Sequence, residues 1–477
     1  MVAAAVGAAV AALPSSRRNG SCCRGSACPA LVSCGVCRSV MLAAAVVAIC
    51  CPGAAGVAVE VPLRPYHVGH GDKGHDRGSL VLAASMKVGT PPQTISVIVD
   101  TSSAHTWIPD AKGETPLASS NGFHTNESST AEVGDKTTVT VYGGVSISGN
   151  VLQDKVRLGD TQVSSAPLVV AQNYSGEAPL GNIVPSVPLQ PGLGLLGLVC
   201  PLGARFAASS AGFSGGGAGL LAGRGVGSSP GILEPDGAQP RADGGGDGRR
   251  ASFMQAFFEA HPEVPRIYRL EMGGPRPRLV VGDESLEGPR LEGGVRFLAK
   301  TFTAPSPLWY VSLRALGLSV GRESPTLRWN QDFNALRPYG MPALLDSGVS
   351  GIHIGSIGYA GLVSAMPYGC RREPATGTTT CKCTEGKIEE EFPSISLSFE
   401  AAHTFRFLML DAGDDVRVCI PPSAYVRYDK ELERCIVDIV DSGEHRFSYG
   451  AETIILGMPF FRSAAVVLDL ERRRVGI

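Results

Sequence analysis

Short apolar runs, several of them alternating with polar residues, recur along most of this chain. Six are bounded by Gly, Pro, Asp or Ser, as β-strands commonly are: Thr94–Asp100, Thr137–Gly144, Arg278–Asp283, Ala343–Gly348, Ser394–Glu400 and Ala464–Leu470. Helical spacing is rare and predicts helices only at Ser252–His261, where Phe253 and Phe257 are four residues apart, and at Ile357–Met366. The pattern therefore predicts a mainly-β protein.

The N-terminal region has a different pattern. A basic stretch precedes the apolar run Val40 to Cys51, and small residues follow it, which is the order of a secretory signal. The run is short for a membrane span of about 20 residues. We expect a cleaved signal, with a retained signal-anchor as the alternative, and a lumenal or secreted body. Glycosylation sequons at Asn126 and Asn173 agree with this compartment.

Residues 203–250 interrupt the strand pattern with a stretch rich in Gly, Ala and Ser. Such a composition buries too little apolar surface to offset the entropy of ordering it. We expect a flexible surface insertion. The alternative is a binding loop or a processing site around Arg249 and Arg250, because loops of this length are often functional.

Composition narrows the function classes. Of 477 residues, 44% are hydrophobic and 18% charged, which is typical of a globular chain. With 42 Lys and Arg against 44 Asp and Glu, the formal net charge of -2 gives no electrostatic reason to bind nucleic acid.

One sequence element occurs twice. In the first half an apolar run leads into Asp100-Thr101-Ser102-Ser103, and in the second half another leads into Asp346-Ser347-Gly348. Each is followed later by an apolar-apolar-Gly element, at Leu195-Leu196-Gly197 and Ile455-Leu456-Gly457. This repetition predicts two related halves, each with a carboxylate at a strand tip.

Two carboxylates that meet at such tips have a defined chemistry. Like charges at close range cannot both ionise cheaply, so the pair shares one proton. One member then acts as a base and the other as an acid, which is what is needed for water to attack an amide.

Further motifs resemble those of the pepsin-like eukaryotic aspartic proteases, from about Leu80 to Ile477. VLAASMKVGTPPQTISVIVDTSSAHTWIPD resembles the start of that family's first lobe, GLLGLVCP its loop-threading element, LWYVSL the strand before the second site, and ILGMPFFRSAAVVLDLERRRVGI its closing element. The resemblance implies a mainly-β, bilobal fold with pseudo-twofold symmetry and a cleft between the lobes.

The resemblance also divides the chain. Together with the signal-like N-terminal pattern, it predicts a signal peptide or signal-anchor region at 1–58, a short pro-like segment at 59–79, an N-terminal lobe at 80–283 that carries the 203–250 insertion, and a C-terminal lobe at 284–477.

By the same resemblance Asp100 and Asp346 are the catalytic aspartates. Supporting roles fall on Thr101, Ser102, Ser103, Ser347, Gly348, Trp107 and the flap tyrosine Tyr142. Substrate contacts fall on Tyr142, Gly143, Gly348 and Val349. The implied activity is hydrolysis of peptide or protein substrates by a monomer without metal or cofactor, attached to a membrane only if the N-terminal hydrophobic segment is retained.

Two departures from the family pattern concern the site directly. Ser102 replaces the glycine after Asp-Thr, where a side chain would point toward the reacting centre. Val349 replaces a hydroxyl residue, which should raise the pKa of Asp346 by removing a hydrogen bond to its charged form. The alternative to an active endopeptidase is therefore a pseudoprotease that binds peptides in the same cleft without cutting them.

The resemblance identifies Cys383 and Cys435 as the ends of the second-lobe disulfide. Cys370 with Cys381 would close a short hairpin loop. His105 and His353 lie near the two aspartates in sequence, but we expect them to be packed or solvated, since this chemistry needs no imidazole.

Overall fold

The fold was analysed on a computed structural model. It describes residues 57–68, 79–112, 121–141, 145–175, 192–199, 252–283, 295–298, 308–320, 326–332, 340–366, 369–373, 378–402, 415–442 and 453–477. The signal-like region up to residue 56, the insertion at 203–250, and Tyr142 and Gly143 lie outside these ranges.

Strands dominate the described chain. The first ten are β1 (Val59–Val68), β2 (Ser79–Val88), β3 (Gln93–Asp100), β4 (Trp107–Pro109), β5 (Glu132–Val141), β6 (Val145–Leu158), β7 (Thr161–Ser175), β8 (Leu193–Gly197), β9 (Ile267–Glu271) and β10 (Arg278–Val281). The next eight are β11 (Phe297–Leu298), β12 (Tyr310–Val320), β13 (Thr326–Asp332), β14 (Met341–Leu345), β15 (Ile352–Ile354), β16 (Arg371–Arg372), β17 (Thr379–Cys381) and β18 (Ser394–Phe399). The last seven are β19 (Val416–Ile420), β20 (Val426–Asp429), β21 (Arg434–Val437), β22 (Ile439–Asp441), β23 (Ile454–Leu456), β24 (Val466–Asp469) and β25 (Arg474–Gly476).

The helices are short. They are α1 (Phe253–Ala260), α2 (Ser356–Ser364), α3 (Ile388–Glu391), α4 (Pro422–Tyr425) and α5 (Met458–Ser463), with a 3-10 turn at Thr125–Glu127. The mainly-β prediction is confirmed: every run predicted as a strand contains one, and both predicted helices are present.

Within the described residues the strands form three sheets. A 13-stranded sheet has the order β11-β25-β24-β9-β10-β1-β2-β3-β8-β4-β7-β6-β5. An eight-stranded sheet has the order β19-β18-β12-β14-β23-β15-β22, with β13 beside β12, and β16-β17-β21-β20 form a third sheet. The first large sheet carries Asp100 and the second leads into Asp346, as expected for a bilobal pepsin-like fold.

The strands that lead to the two aspartates are continuous apolar runs because they are buried in the middle of their sheets. β3 lies between β2 and the parallel strand β8, and β14 lies between β12 and the parallel strand β23. All five residues of β14 and the last four of β3 are buried. Parallel pairing in a covered sheet favours such runs over strict alternation.

Helix α1 shows how local sequence signals define an element. Ser252 caps it by accepting a hydrogen bond from the Gln255 N–H at 3.3 Å. Phe253 and Phe257 lie one turn apart, with ring centroids 6.2 Å from each other, and both are buried in the main core. The two phenylalanines, predicted from their spacing, thus lie on the face of α1 that packs against the main core.

Strand β1 joins the two halves of the 13-stranded sheet. Its first residues pair with β10, and the rest of it, from Leu63 on, pairs with β2. Val59, Val61 and Leu63 are 4%, 1% and 5% exposed and belong to the main core. We therefore propose that residues 59–68, placed by sequence in a pro-like segment, remain part of the folded body.

Substitution in β1 should reveal this role. We expect Leu63→Ala to lower the free energy of unfolding by about 2–5 kcal/mol, the usual cost of truncating a buried leucine. Its exposed neighbour Arg64 provides the control, and Arg64→Ala should change stability by no more than about 0.5 kcal/mol. Chemical unfolding of both variants measures the difference, and equal small effects would show that β1 is not an integral strand.

Candidate active site

The two aspartates lie at the ends of their buried strands. Asp100 ends β3 and is 6% exposed, and Asp346 directly follows β14 and is 1% exposed. Buried carboxyls require hydrogen bonds or a shared proton to offset the loss of hydration. The contacts around each aspartate show how this requirement is met.

Reciprocal hydrogen bonds join the turns that follow the two aspartates. The Thr101 hydroxyl donates to the Leu345 carbonyl at 2.9 Å and accepts from the Ser347 N–H at 3.0 Å. The Ser347 hydroxyl donates to the Val99 carbonyl at 2.8 Å and accepts from the Thr101 N–H at 3.1 Å. Both side chains are fully buried. This symmetric set of four bonds, here called the cross-lobe clasp, brings the two aspartate turns together.

The resemblance gives Thr101 and Ser347 supporting roles at the aspartates that they follow. In the structure their hydroxyls reach across to the other lobe instead, and the residues just before each aspartate, Val99 and Leu345, supply the accepting carbonyls. No residue type marks those two positions, because the contact uses backbone atoms.

Three hydrogen-bond donors converge on Asp100. Its Oδ1 accepts from the Ser102 N–H at 2.7 Å and from the Ser102 hydroxyl at 2.8 Å. Its Oδ2 accepts from the Ser103 hydroxyl at 2.6 Å. Both serines therefore hold and orient this carboxylate.

Asp346 has a different environment. Its Oδ1 accepts from the Gly348 N–H at 3.0 Å, whereas its buried Oδ2 has no hydrogen-bond partner within the described residues. Burial, followed by the charge of Asp100, raises the pKa of Asp346 well above its ordinary value. The predicted rise is therefore present, but its leading cause is burial. Burial and the neighbouring charge thus both favour the neutral form of Asp346.

The glycine of the second turn is required by space. A Cβ built on Gly348 would lie 2.8 Å from the Asp100 carboxyl carbon and 3.0 Å from its Oδ2. Val349 follows as a 2% exposed residue packed with Leu344 and Ile455. Gly348 thus leaves room for the opposite carboxylate, and Val349 belongs to a small apolar cluster beside the site.

Both Leu-Gly elements pack behind the aspartate turns, one in each lobe. Asp100 pairs with Gly197 in the β3–β8 ladder, and the Asp346 N–H donates to the Leu456 carbonyl at 3.1 Å. A Cβ on Gly197 would lie 2.6 Å from the Ser103 carbonyl oxygen, and one on Gly457 would lie 2.4 Å from that of Val349. Glycine is therefore needed at both positions for the backbones to approach.

Trp107 lies on β4, next to β7 and β8, and is 1% exposed. Its indole N–H has no hydrogen-bond partner among the residues that the structure describes. The predicted flap residues Tyr142 and Gly143 fall outside the described ranges, between β5 and β6.

Two disulfides lie in the second half of the chain. Cys383 bonds to Cys435 with a Cα–Cα distance of 5.8 Å, and Cys370 bonds to Cys381. Cys381 and Cys435 are opposite each other in the β17–β21 ladder, so the two bridges are adjacent. Among the described residues no cluster of His, Cys, Asp or Glu side chains could hold a metal ion.

His353 on β15 is completely buried, and neither ring nitrogen has a partner within the described part of the chain. Burial lowers its pKa from the ordinary 6.5 to about 4. The imidazole of His353 is therefore protonated below about pH 6.5 in the unfolded chain, and only below about pH 4 in the folded protein. The contribution of His353 to stability is lost as the pH falls through this window.

Replacing His353 should expose this pH dependence. We expect His353→Leu to reduce the loss of stability between pH 6.5 and pH 4 by about 3 kcal/mol, the energy that corresponds to the pKa difference. Asp438 should have the opposite effect on the pH dependence of stability. Burial raises its pKa to about 6, so its contribution to stability is lost as the pH rises from about 4 to about 6. Asp438→Asn should therefore steepen the loss toward acid. Chemical unfolding at several pH values measures both changes, and an unaltered pH dependence in His353→Leu would refute the assignment.

Comparison with known proteins finds a family match over part of the chain. Residues 82–197 match the family described as eukaryotic aspartyl protease, and this stretch contains Asp100 and Trp107. Over this stretch the chain is similar to the pepsin-like aspartic proteases.

Three relatives illustrate the range of similar proteins. The chain is 32% identical over 96 residues to vacuolar protease A of Neurospora crassa, covering 20% of this chain and 24% of that protein. It is 35% identical over 91 residues to cyprosin of Cynara cardunculus, covering 19% of each. It is 34% identical over 89 residues to pregnancy-associated glycoprotein 1 of Bos taurus, covering 18% of this chain and 23% of that protein. The aligned stretch thus spans about a quarter of these relatives or less.

Proposed function

We propose that this protein is an aspartic endopeptidase in which Asp100 and Asp346 activate the water that hydrolyses a peptide bond. The observation that carries the proposal is the cross-lobe clasp, because its four bonds bring two buried carboxyls from separate sheets to one place. A turn that merely ends a strand needs no such reciprocal arrangement.

The environments of the two carboxyls support a different role for each. Asp346 retains the proton because its pKa is raised by burial and by the neighbouring charge, so Asp100 is the base. Asp100 takes a proton from water as the water oxygen attacks the amide carbon, and Asp346 gives its proton to the carbonyl oxygen. In the second step Asp100 gives the proton that it took from water to the leaving nitrogen as the amide C–N bond breaks. Asp346 takes back a proton from a hydroxyl of the diol intermediate as the new carboxyl group forms.

The surroundings of the aspartates favour apolar substrate side chains. Ile98 and Leu344 each precede an aspartate by two residues, so they share its face of the sheet. Each belongs to a small apolar cluster separate from the main core: Val81, Ala83, Ile98 and Leu193 in one lobe, and Leu344, Val349 and Ile455 in the other. We propose an extended peptide of about six to eight residues, bound like an added strand under a flap with Tyr142 and Gly143.

A second candidate function follows from Ser102. Its hydroxyl is bonded to Asp100, where the family pattern has a glycine with no side chain. A protein with this substitution would keep the peptide-binding cleft and lose turnover. The alternative is therefore a pseudoprotease that binds peptides through the same contacts.

A mixed peptide library distinguishes the two. Purified protein incubated with the library across a pH series should cleave peptides at acid pH, where Asp346 holds its proton, and pepstatin should suppress the cleavage. Peptide or pepstatin binding without any cleavage would establish the pseudoprotease instead. Cleavage that pepstatin leaves unchanged would overturn the proposal.

We further propose delivery to the secretory or endomembrane system, with the lobes lumenal. The side chains of both sequon asparagines, Asn126 and Asn173, are exposed. Helices long and apolar enough to cross a bilayer are absent from the described residues. We propose a monomer with an N-terminal lobe at 80–283 and a C-terminal lobe at 284–477.

A further inference from the structure

The hydroxyl of Ser102 lies at the point where the two catalytic turns face each other. It donates to Asp100 Oδ1 at 2.8 Å, an oxygen that also accepts the Ser102 N–H at 2.7 Å. The hydroxyl therefore points inward and is held by the carboxylate, although a water molecule could accept the same hydrogen bond. This orientation costs side-chain entropy and persists only because the hydrogen bond to a charged group offsets it.

The symmetry of the clasp indicates which group lies opposite the Ser102 hydroxyl. The bonds of Thr101 and Ser347 are reciprocal, so the turn at Ser102 corresponds to the turn at Gly348. A Cβ at Gly348 would lie 2.8 Å from the Asp100 carboxyl carbon. By this correspondence the side chain of Ser102 is directed toward the Asp346 turn.

Contacts of Asp346 agree with this placement. The Ser102 hydroxyl interacts with the Asp346 carboxyl and lowers its pKa, against the larger opposing effect of burial. Asp346 Oδ2 itself has no hydrogen-bond partner among the described residues. The same hydroxyl is thus a neighbour of both carboxyls.

We propose that the Ser102 hydroxyl is a resident occupant of the space between Asp100 and Asp346 and competes there with the hydrolytic water. This inference rests on the proposed function, because it concerns the regulation of that same dyad. On this proposal the hydroxyl of Ser102 and its hydrogen bond limit turnover, whereas the Cβ of the same residue does not.

Two substitutions separate the hydroxyl from the Cβ. Ser102→Ala keeps the Cβ and removes the hydroxyl, and Ser102→Gly removes both. If the hydroxyl is the occupant, both variants should bind pepstatin, a peptide analogue with a hydroxyl at its centre, about ten- to one-hundredfold more tightly than wild type, which is the range for one hydrogen bond to a charged group. Both should raise kcat/KM for peptide cleavage by a similar factor. Calorimetry at acid pH and cleavage assays measure the two effects.

The pH profile gives a readout that a purely structural role would not move. Because the Ser102 hydroxyl lowers the pKa of Asp346, its removal should shift the alkaline limb of the kcat/KM profile to higher pH in both variants. Ser103→Ala is the control. The Ser103 hydroxyl donates to the other oxygen of the same carboxyl, Asp100 Oδ2, so its removal should not tighten pepstatin binding.

The outcomes separate this inference from the proposed function. If Ser102→Ala behaves as wild type while Ser102→Gly gains, the Cβ is the obstacle and the resident-hydroxyl proposal is wrong. If wild type already binds pepstatin and cleaves as well as both variants, the proposal is wrong and the endopeptidase function stands. If wild type and both variants neither bind pepstatin nor cleave, both proposals fall together.

Discussion

Asp100→Asn and Asp346→Asn should each lower kcat/KM for peptide cleavage by at least about a thousandfold. Loss of a positioned general acid or base typically costs two to four orders of magnitude, and here each substitution also ends the sharing of one proton. Asparagine is nearly isosteric, and its oxygen can still accept the backbone N–H of Ser102 or Gly348. The loss should therefore be chemical rather than structural.

Stability measurements check that point. Because burial already favours the neutral form of Asp346, Asp346→Asn should not lower the melting temperature near neutral pH. Asp160→Asn, an exposed carboxylate in the turn between β6 and β7, is the control and should retain full activity. A dyad variant that folds normally and cleaves at the wild-type rate would contradict the assignment of the two aspartates.

Disrupting the cross-lobe clasp should have the second-largest effect. Thr101→Val removes the hydroxyl that donates to Leu345 O and accepts from Ser347 N, leaving two buried backbone groups without partners. Each unsatisfied group costs about 1–3 kcal/mol, so we expect a loss of about 2–6 kcal/mol in the free energy of unfolding. A displacement of the carboxylates by about 1 Å should in addition lower kcat by about a hundredfold.

A double-mutant cycle tests whether the clasp acts as a unit. Thr101→Val and Ser347→Ala remove opposite halves of one reciprocal arrangement, so their effects on stability should be coupled by about 0.5–3 kcal/mol. Thr106 is a matched control, because it is fully buried but its hydroxyl accepts a hydrogen bond from Gly197 N in its own lobe. Thr106→Val combined with Ser347→Ala should be additive. Strict additivity of the clasp pair would show that the two turns are held together by other contacts.

Local sequence signals were sufficient for the elements around the site. The apolar runs before Asp100 and Asp346 predicted buried strands, and the later Leu-Gly elements predicted a second repeated part. Ser252 with the spaced phenylalanines of α1 predicted that helix. These features succeed because strand period, capping and turn chemistry are short-range properties of the chain.

Long-range contacts were not predictable in the same way. The clasp joins residues 246 positions apart, and four of its six atoms belong to the backbone. Strand β1 contains Pro62 and Pro65, which argue against a strand, yet it pairs with β10 and β2. Its place is set by the apolar positions Val59, Val61 and Leu63, whose burial depends on partners far along the chain.

The role of Ser102 was only partly predictable from the sequence. Its departure from the family pattern was visible in the sequence, and so was the crowding that a side chain would cause. The direction of its hydroxyl, bonded to Asp100 Oδ1, follows only from the arrangement of the turn in three dimensions.

The pH dependence of kcat/KM tests the shared proton of Asp100 and Asp346 most directly. It is measured for pepstatin-sensitive cleavage of one peptide. The protein used is either wild type or Ser102→Gly, whichever has the higher turnover. Since one carboxyl must be ionised and the other protonated, the account predicts a bell-shaped profile. Its alkaline limb should lie well above the ordinary range of a carboxyl, because burial and the charge of Asp100 raise the pKa of Asp346. A rate that keeps rising into alkaline pH, where both carboxyls are ionised, would contradict it.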